Sequence, residues 1–253
     1  MVTRLRMPFR NGSARSSAEA MTLGQHLAEL RRRVVICVVA FGVGATVAFI
    51  VYPHILNFLQ APYCRVTKPR PCKLFVSSPL DGLSLRIKLA AYGGMFLASP
   101  VILWELWRFI TPGLHRNEKR YAVPFVASSI VLFVFGAFLA FETFPHALKF
   151  LQNIGGPSLQ QIYDPNKYLG LIVALMAVFG LTFEFPVVLV SLELVGVVTP
   201  RKLASWRRWA IVLIVVFAAV ITPSGDPFSM LALAVPMYIF YEVSILIGKF
   251  LRR

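Results

Sequence analysis

The chain has 253 residues, 57% of them hydrophobic and 15% charged, against about 25% charged in an ordinary soluble domain. A mean hydropathy of +0.70 leaves too few polar side chains to coat a globule, and it excludes disorder, which requires low hydrophobicity. The formal net charge of +15 would suggest nucleic acid in a soluble protein. Here the basic residues fall in short segments between long apolar runs, as they do in membrane loops, so a bilayer is expected and nucleic acid is not.

Residues 1–20, rich in Arg, Ser and Ala, read as a flexible basic cytoplasmic tail ahead of a membrane domain at 21–250. Leu23, Leu27, Leu30 and Val34 recur at helical spacing and predict an amphipathic segment running into the first span. Glu29 is the only acid in that basic stretch. It fits a local ion pair with Arg32 or Arg33, or a carboxylate presented to a cationic ligand. Val34 to Tyr52 carries no charge and forms the first span. The basic segment before it is too long for a signal peptide, and no small-residue cleavage site follows. Cys37 within it is a small apolar filler. Cys64 and Cys72 lie eight residues apart in the next, outer loop, placed either to close it by a disulfide or to stand as two thiols.

The second span covers the uncharged run Leu89 to Leu103 and extends back through Lys88 and Arg86 toward Pro79. The inner loop from Trp107 to Arg120 contains a second acid among bases, Glu118. With Glu29 on the same membrane face, it could hold two guanidiniums by planar two-point contacts that an ammonium cannot reproduce. The ordinary alternative is solvated charge. Val123 to Phe141 forms the third span, and Tyr168 to Leu192, interrupted only by Glu184, the fourth. A carboxylate at membrane depth costs at least about 2.5 kcal/mol, which makes Glu184 a functional candidate. Its structural alternative is a carboxyl hydrogen-bonded to a neighbouring helix.

From Trp209 to Tyr241 the single charge is Asp226, inside Pro223-Ser-Gly-Asp-Pro227. That cluster cannot continue a helix and divides the region into two short spans. The result is an all-α membrane protein of six transmembrane helices, the last two short. Eighteen Lys and Arg fall on the side of both termini and six on the other, which places both termini in the cytoplasm; the membrane is expected to be the plasma (inner) membrane. The chain lacks an internal repeat of the kind inverted-repeat transporters carry. It also lacks P-loop, H-E-x-x-H, C-x-x-C and G-x-S-x-G motifs, so neither enzyme activity nor a cofactor is expected. His26, His54, His115 and His146 all lie at span ends or in loops. His115 with Glu118 supplies two ligands, too few for a zinc site.

HLAELRRR at 26–33, SPLDGLSLRIKLA at 78–90, ASPVILWELWRFITPGLHRNEKR at 98–120, FGLTFEFPV at 179–187 and TPSGDPF at 222–228 occur in the order seen in one family. From about Leu23 to Leu251 the sequence resembles TatC, the multispanning subunit of the twin-arginine protein translocase. The resemblance implies a receptor for the Arg-Arg signal peptides of folded proteins, working with TatA- and TatB-type single-span partners and driven by the proton-motive force. It assigns signal binding to Glu29 and Glu118, with His26, Arg31, Phe109 and Arg120 around them, and partner docking to Glu184. Pro62, Pro100, Pro145, Asp164 and Asp226 match structural or outer-loop positions. The departures are the long basic tail, the paired cysteines, and Glu105 where a neutral polar residue is more usual. A homo-oligomer is compatible with this reading. The rival is a proton- or ion-coupled small-solute transporter using Glu184.

Overall fold

The chain is described from a computed structural model covering residues 23–66, 74–76, 78–110, 122–156, 163–194 and 196–251. Among these residues the regular structure is entirely helical. In chain order the helices are α1 (Leu23–Ile50), α2 (Tyr52–Val66), α3 (Asp81–Ile110), α4 (Ala122–Ile154), α5 (Pro165–Thr182), α6 (Phe185–Leu194), α7 (Pro200–Ser205), α8 (Arg207–Ile221) and α9 (Pro227–Leu251).

Among the described residues, five segments are long and apolar enough to cross a bilayer: Leu27–Ile50, Asp81–Phe109, Val123–Ile154, Pro165–Leu194 and Pro227–Phe250. The fourth comprises α5 and α6. Its ladder breaks at Phe183–Glu184 because Pro186 has no amide to offer the carbonyl of Thr182. The fifth predicted span corresponds to α8, whose 15 residues reach about 22 Å, short of a hydrocarbon core of about 30 Å. The last helix corrects the sequence reading. Far from short, α9 has 25 residues, because Glu242 does not end it but turns aside to pair with Arg207 of α8 at 2.7 Å. The stretch expected as an outer loop also contains a helix, α2.

Breakers and caps fall where the sequence puts them. Asp164 accepts the amide of Lys167 at 3.1 Å and caps α5, with Pro165 at its first turn. Gly225, at φ +59°, turns the chain between α8 and α9. Fully buried Asp226 then accepts the amide of Ser229 at 2.7 Å and the hydroxyl of Ser224, capping α9. Pro62 is buried within α2. One residue on, the Tyr168 hydroxyl enters the ladder, accepting from the Tyr63 amide at 3.1 Å and donating to the Leu59 carbonyl at 3.0 Å. That insertion fastens α2 to α5.

The core forms where α4, α5 and α9 meet, around Phe144, Leu169, Ile172, Phe179, Phe183, Leu233 and Ile245. By contrast, α1 packs along α3 and touches little else. Its outer face, Val35, Val38, Val39 and Val43, is exposed, as suits a helix bathed in lipid. Whereas α3 also contributes Leu85 and Leu89 to that core, α1 lies outside it, and the α1–α3 interface carries the first cluster of polar residues.

Candidate functional site

Near the start of α1, Glu29 and Arg33 sit one turn apart and form the local ion pair that their spacing allows. The guanidinium does more than close that pair. Its Nε and Nη2 donate to Oε1 of Glu29, the former at 3.2 Å. Its Nη1 donates across the helix interface to Oε2 of Glu105 on α3 at 2.8 Å and to the Glu105 carbonyl at 3.4 Å. One arginine thus links two carboxylates on two helices. The cluster is half-sheltered, with side-chain exposures of 13% for Arg33, 10% for Glu105 and 23% for Glu29, so these contacts are stronger than solvated surface pairs.

The cluster closes one end of a groove between α1 and α3 of about 410 Å³, which continues between Val34, Cys37, Val38, Met95 and Ile102. Phe109 lines the same end beside Glu105. An elongated ligand with a cationic end and an apolar run would match this division of polarity. Arg31, one position off the stripe, is exposed. Glu118 and Arg120 lie outside the described residues, as does the side chain of His26.

The second polar cluster lies where α5 meets α6. Both carboxylate oxygens of Glu184 are buried, and the Ser129 hydroxyl of α4 lies beside them. Ser129, fully buried, accepts the indole N–H of Trp107 from α3 at 2.7 Å. Trp107, Val126 and Val187 pack together as a small apolar cluster beside this hydrogen bond. The Ser129 hydroxyl thereby links Trp107 of α3 to the neighbourhood of Glu184. The sequence marks the acid, but Trp107 and Ser129 join it only through the packing of α3 against α4.

Other predicted residues stand apart from both clusters. Pro62 and Pro145 are buried in α2 and α4, and Pro100 lies within α3. Asp164 and Asp226 cap helices, as above. Cys37 is free and Cys64 is disulfide-bonded, while Cys72 lies outside the described residues. An acid the sequence reading passed over, Glu193, is 1% exposed at the end of α6. It packs so tightly on α9 that a Cβ at Gly248 would collide with its carboxylate. It escapes a search for isolated intramembrane charges because it falls where a span is expected to end.

Comparison with known proteins gives a consistent family. The model of the Sec-independent protein translocase protein (TatC) family matches residues 25–236. A Sec-independent protein translocase protein TatC of Frankia casuarinae is 44% identical over 90% of this chain and 65% of its own length. That of Aquifex aeolicus is 38% identical over 92% of this chain and 97% of its own. This chain thus spans less than two thirds of the Frankia protein and nearly all of the Aquifex one. A crystal structure of the twin arginine translocase receptor TatC superposes with a TM-score of 0.72 at 38% identity, covering 90% of this chain and all of that one.

Proposed function

Because the chain belongs to the TatC family of Sec-independent protein translocase proteins, we propose that it is the receptor that binds the Arg-Arg signals of folded proteins at the cytoplasmic face and nucleates their export. The observation that carries this reading is the Glu29 carboxylate, already holding a guanidinium at the end of an apolar groove. Glu29 takes one signal arginine and Glu118 the other, with His26, Arg31, Phe109 and Arg120 around them. The apolar part of the signal lies along the α1–α3 groove. In this reading α8 also crosses, as the fifth of six spans, both termini are cytoplasmic, and TatA- and TatB-type partners complete an assembly driven by the proton-motive force.

The test is crosslinking of a photoreactive signal peptide to the chain in membranes. An Arg-Arg peptide is expected to crosslink, its Lys-Lys counterpart much less, since only a guanidinium makes the planar two-point contact. Glu118→Ala weakens the Arg-Arg product while the chain remains inserted. Equal labelling by both peptides would remove the receptor reading.

Glu184 serves partner docking in this scheme. Its carboxyl, beside Ser129, offers a hydrogen bond to a polar group on a partner helix. Such contacts in lipid are worth about 0.6 to 2 kcal/mol, so Glu184→Ala is expected to weaken partner co-purification about three- to thirtyfold while sparing signal binding. Loss of neither activity would make the residue structural. The solute-transporter reading finds no support among the relatives, which are protein translocase components. Solute uptake by vesicles containing this chain alone would revive it.

A further inference from the structure

The Arg33 guanidinium divides its donors between two acids: the Nε and Nη2 edge faces Glu29, and Nη1 faces Glu105. A signal guanidinium making a two-point contact with Glu29 needs both carboxylate oxygens, and Oε1 is already held by Arg33. Were Glu29 the sole partner of Arg33, that exchange would strand a cation only 13% exposed, and removing one partner of a sheltered charge is costly. Glu105 removes this obstacle. Its carboxylate and its carbonyl, 2.8 and 3.4 Å from Nη1, keep hold of Arg33 from the other helix.

We propose that Glu105 is a positioning residue for signal recognition: it retains Arg33 so that Glu29 can exchange its internal arginine for one supplied by the signal. This rests on the receptor reading above and adds a third carboxylate to it, one that acts through Arg33. Arg33 is then an internal stand-in for a signal arginine. Apparent affinity scales with the fraction of molecules in which Glu29 has released it. A neutral residue at 105 holds a guanidinium about half as strongly as a carboxylate, which leaves Arg33 on Glu29 more of the time.

The experiment measures binding of a fluorescent Arg-Arg signal peptide, with a Lys-Lys control, to the purified full chain in lipid nanodiscs. Glu105→Gln is expected to bind the Arg-Arg peptide about tenfold more weakly, the scale of one charge-assisted hydrogen bond. Adding Arg33→Gln to that variant removes the competitor and brings affinity back to within about threefold of wild type. A residue that merely braced α3 would show no such rescue. Wild-type affinity in Glu105→Gln, or a double variant as weak as the single one, overturns the proposal. Should Glu105→Gln not fold, Arg33→Gln alone decides. It is expected to bind the Arg-Arg peptide more tightly than wild type, and weaker binding overturns the proposal. A wild-type chain that fails to distinguish the two peptides sinks the receptor reading itself. Clear discrimination with an indifferent Glu105→Gln sinks only the exchange.

Discussion

Glu29→Gln is expected to weaken binding of an Arg-Arg signal at least about thirtyfold, because removing one member of a half-sheltered charge pair costs about 2 kcal/mol or more. The substitution keeps the shape of the side chain and removes only its charge. It should leave the fold intact, because Arg33 retains Glu105 at 2.8 Å and the α1–α3 crossing is not held by Glu29. Binding and stability are thereby separable at this position. A nanodisc titration with Arg-Arg and Lys-Lys peptides reads the first, and thermal unfolding of the same preparation reads the second. Two results would count against the assignment. Unchanged Arg-Arg binding would place signal recognition elsewhere on the inner face. A parallel loss for both peptides, with a lowered Tm, would make Glu29 a structural carboxylate whose partner is Arg33 alone.

The two polar clusters differ in how far the sequence discloses them. The Glu29–Arg33 contact follows from a one-turn separation on a helix and is readable without coordinates. Glu105 is not, since it lies 72 residues from Arg33 and meets it only because α1 crosses α3 at that height. The sequence shows it as an odd residue at a position where the family prefers a neutral one, a signal that it is special but not of what it touches. Glu184 is conspicuous as a charge in an apolar run. Its neighbours Ser129 and Trp107 are ordinary residues of α4 and α3 that become polar company only once the spans have packed.

Charges also misled the placement of span ends. Hydropathy treats an acid as the edge of a helix, which shortens the last span at Tyr241. Glu242 in fact lies inside α9, satisfied by Arg207 and, at 3.2 Å, by the Tyr238 hydroxyl. The same rule hides Glu193, whose position against Gly248 depends on α6 lying along α9. Breakers fared better than charges. Pro223, Gly225, Asp226 and Pro227 act through backbone geometry and local capping, which do not wait for tertiary partners.

Gly94→Leu is expected to separate α1 from α3 and to abolish signal binding with it. A Cβ at Gly94 would lie 2.7 Å from both the Cα and the N of Ala45, and one at Gly44 would lie 2.9 Å from the Gly94 carbonyl oxygen. The two backbones are in direct contact, and neither has a flexible side chain that could yield. Gly94 on α3 lies against Gly44 and Ala45 on α1, and Gly93 against Ala48, small residues of the kind by which helices approach closely in lipid. Without a hydrophobic force between spans, that close approach supplies most of the attraction. Because α1 leans on α3 and on little else, nothing compensates when it is lost. Overpacking costs about 1 to 3 kcal/mol where side chains can adjust, and contact against backbone should reach the upper end. Arg33 then leaves Glu105, the groove loses one wall, and Glu29 no longer stands at its mouth. Gly42→Leu is the control, since a Cβ there meets nothing within 4 Å. It adds the same side chain to the other helix of the pair, on its open face, where lipid accepts it. Thermal unfolding and Arg-Arg peptide binding should both fall in Gly94→Leu and both persist in Gly42→Leu. Retained binding in Gly94→Leu would mean that the signal is held without the α1–α3 groove.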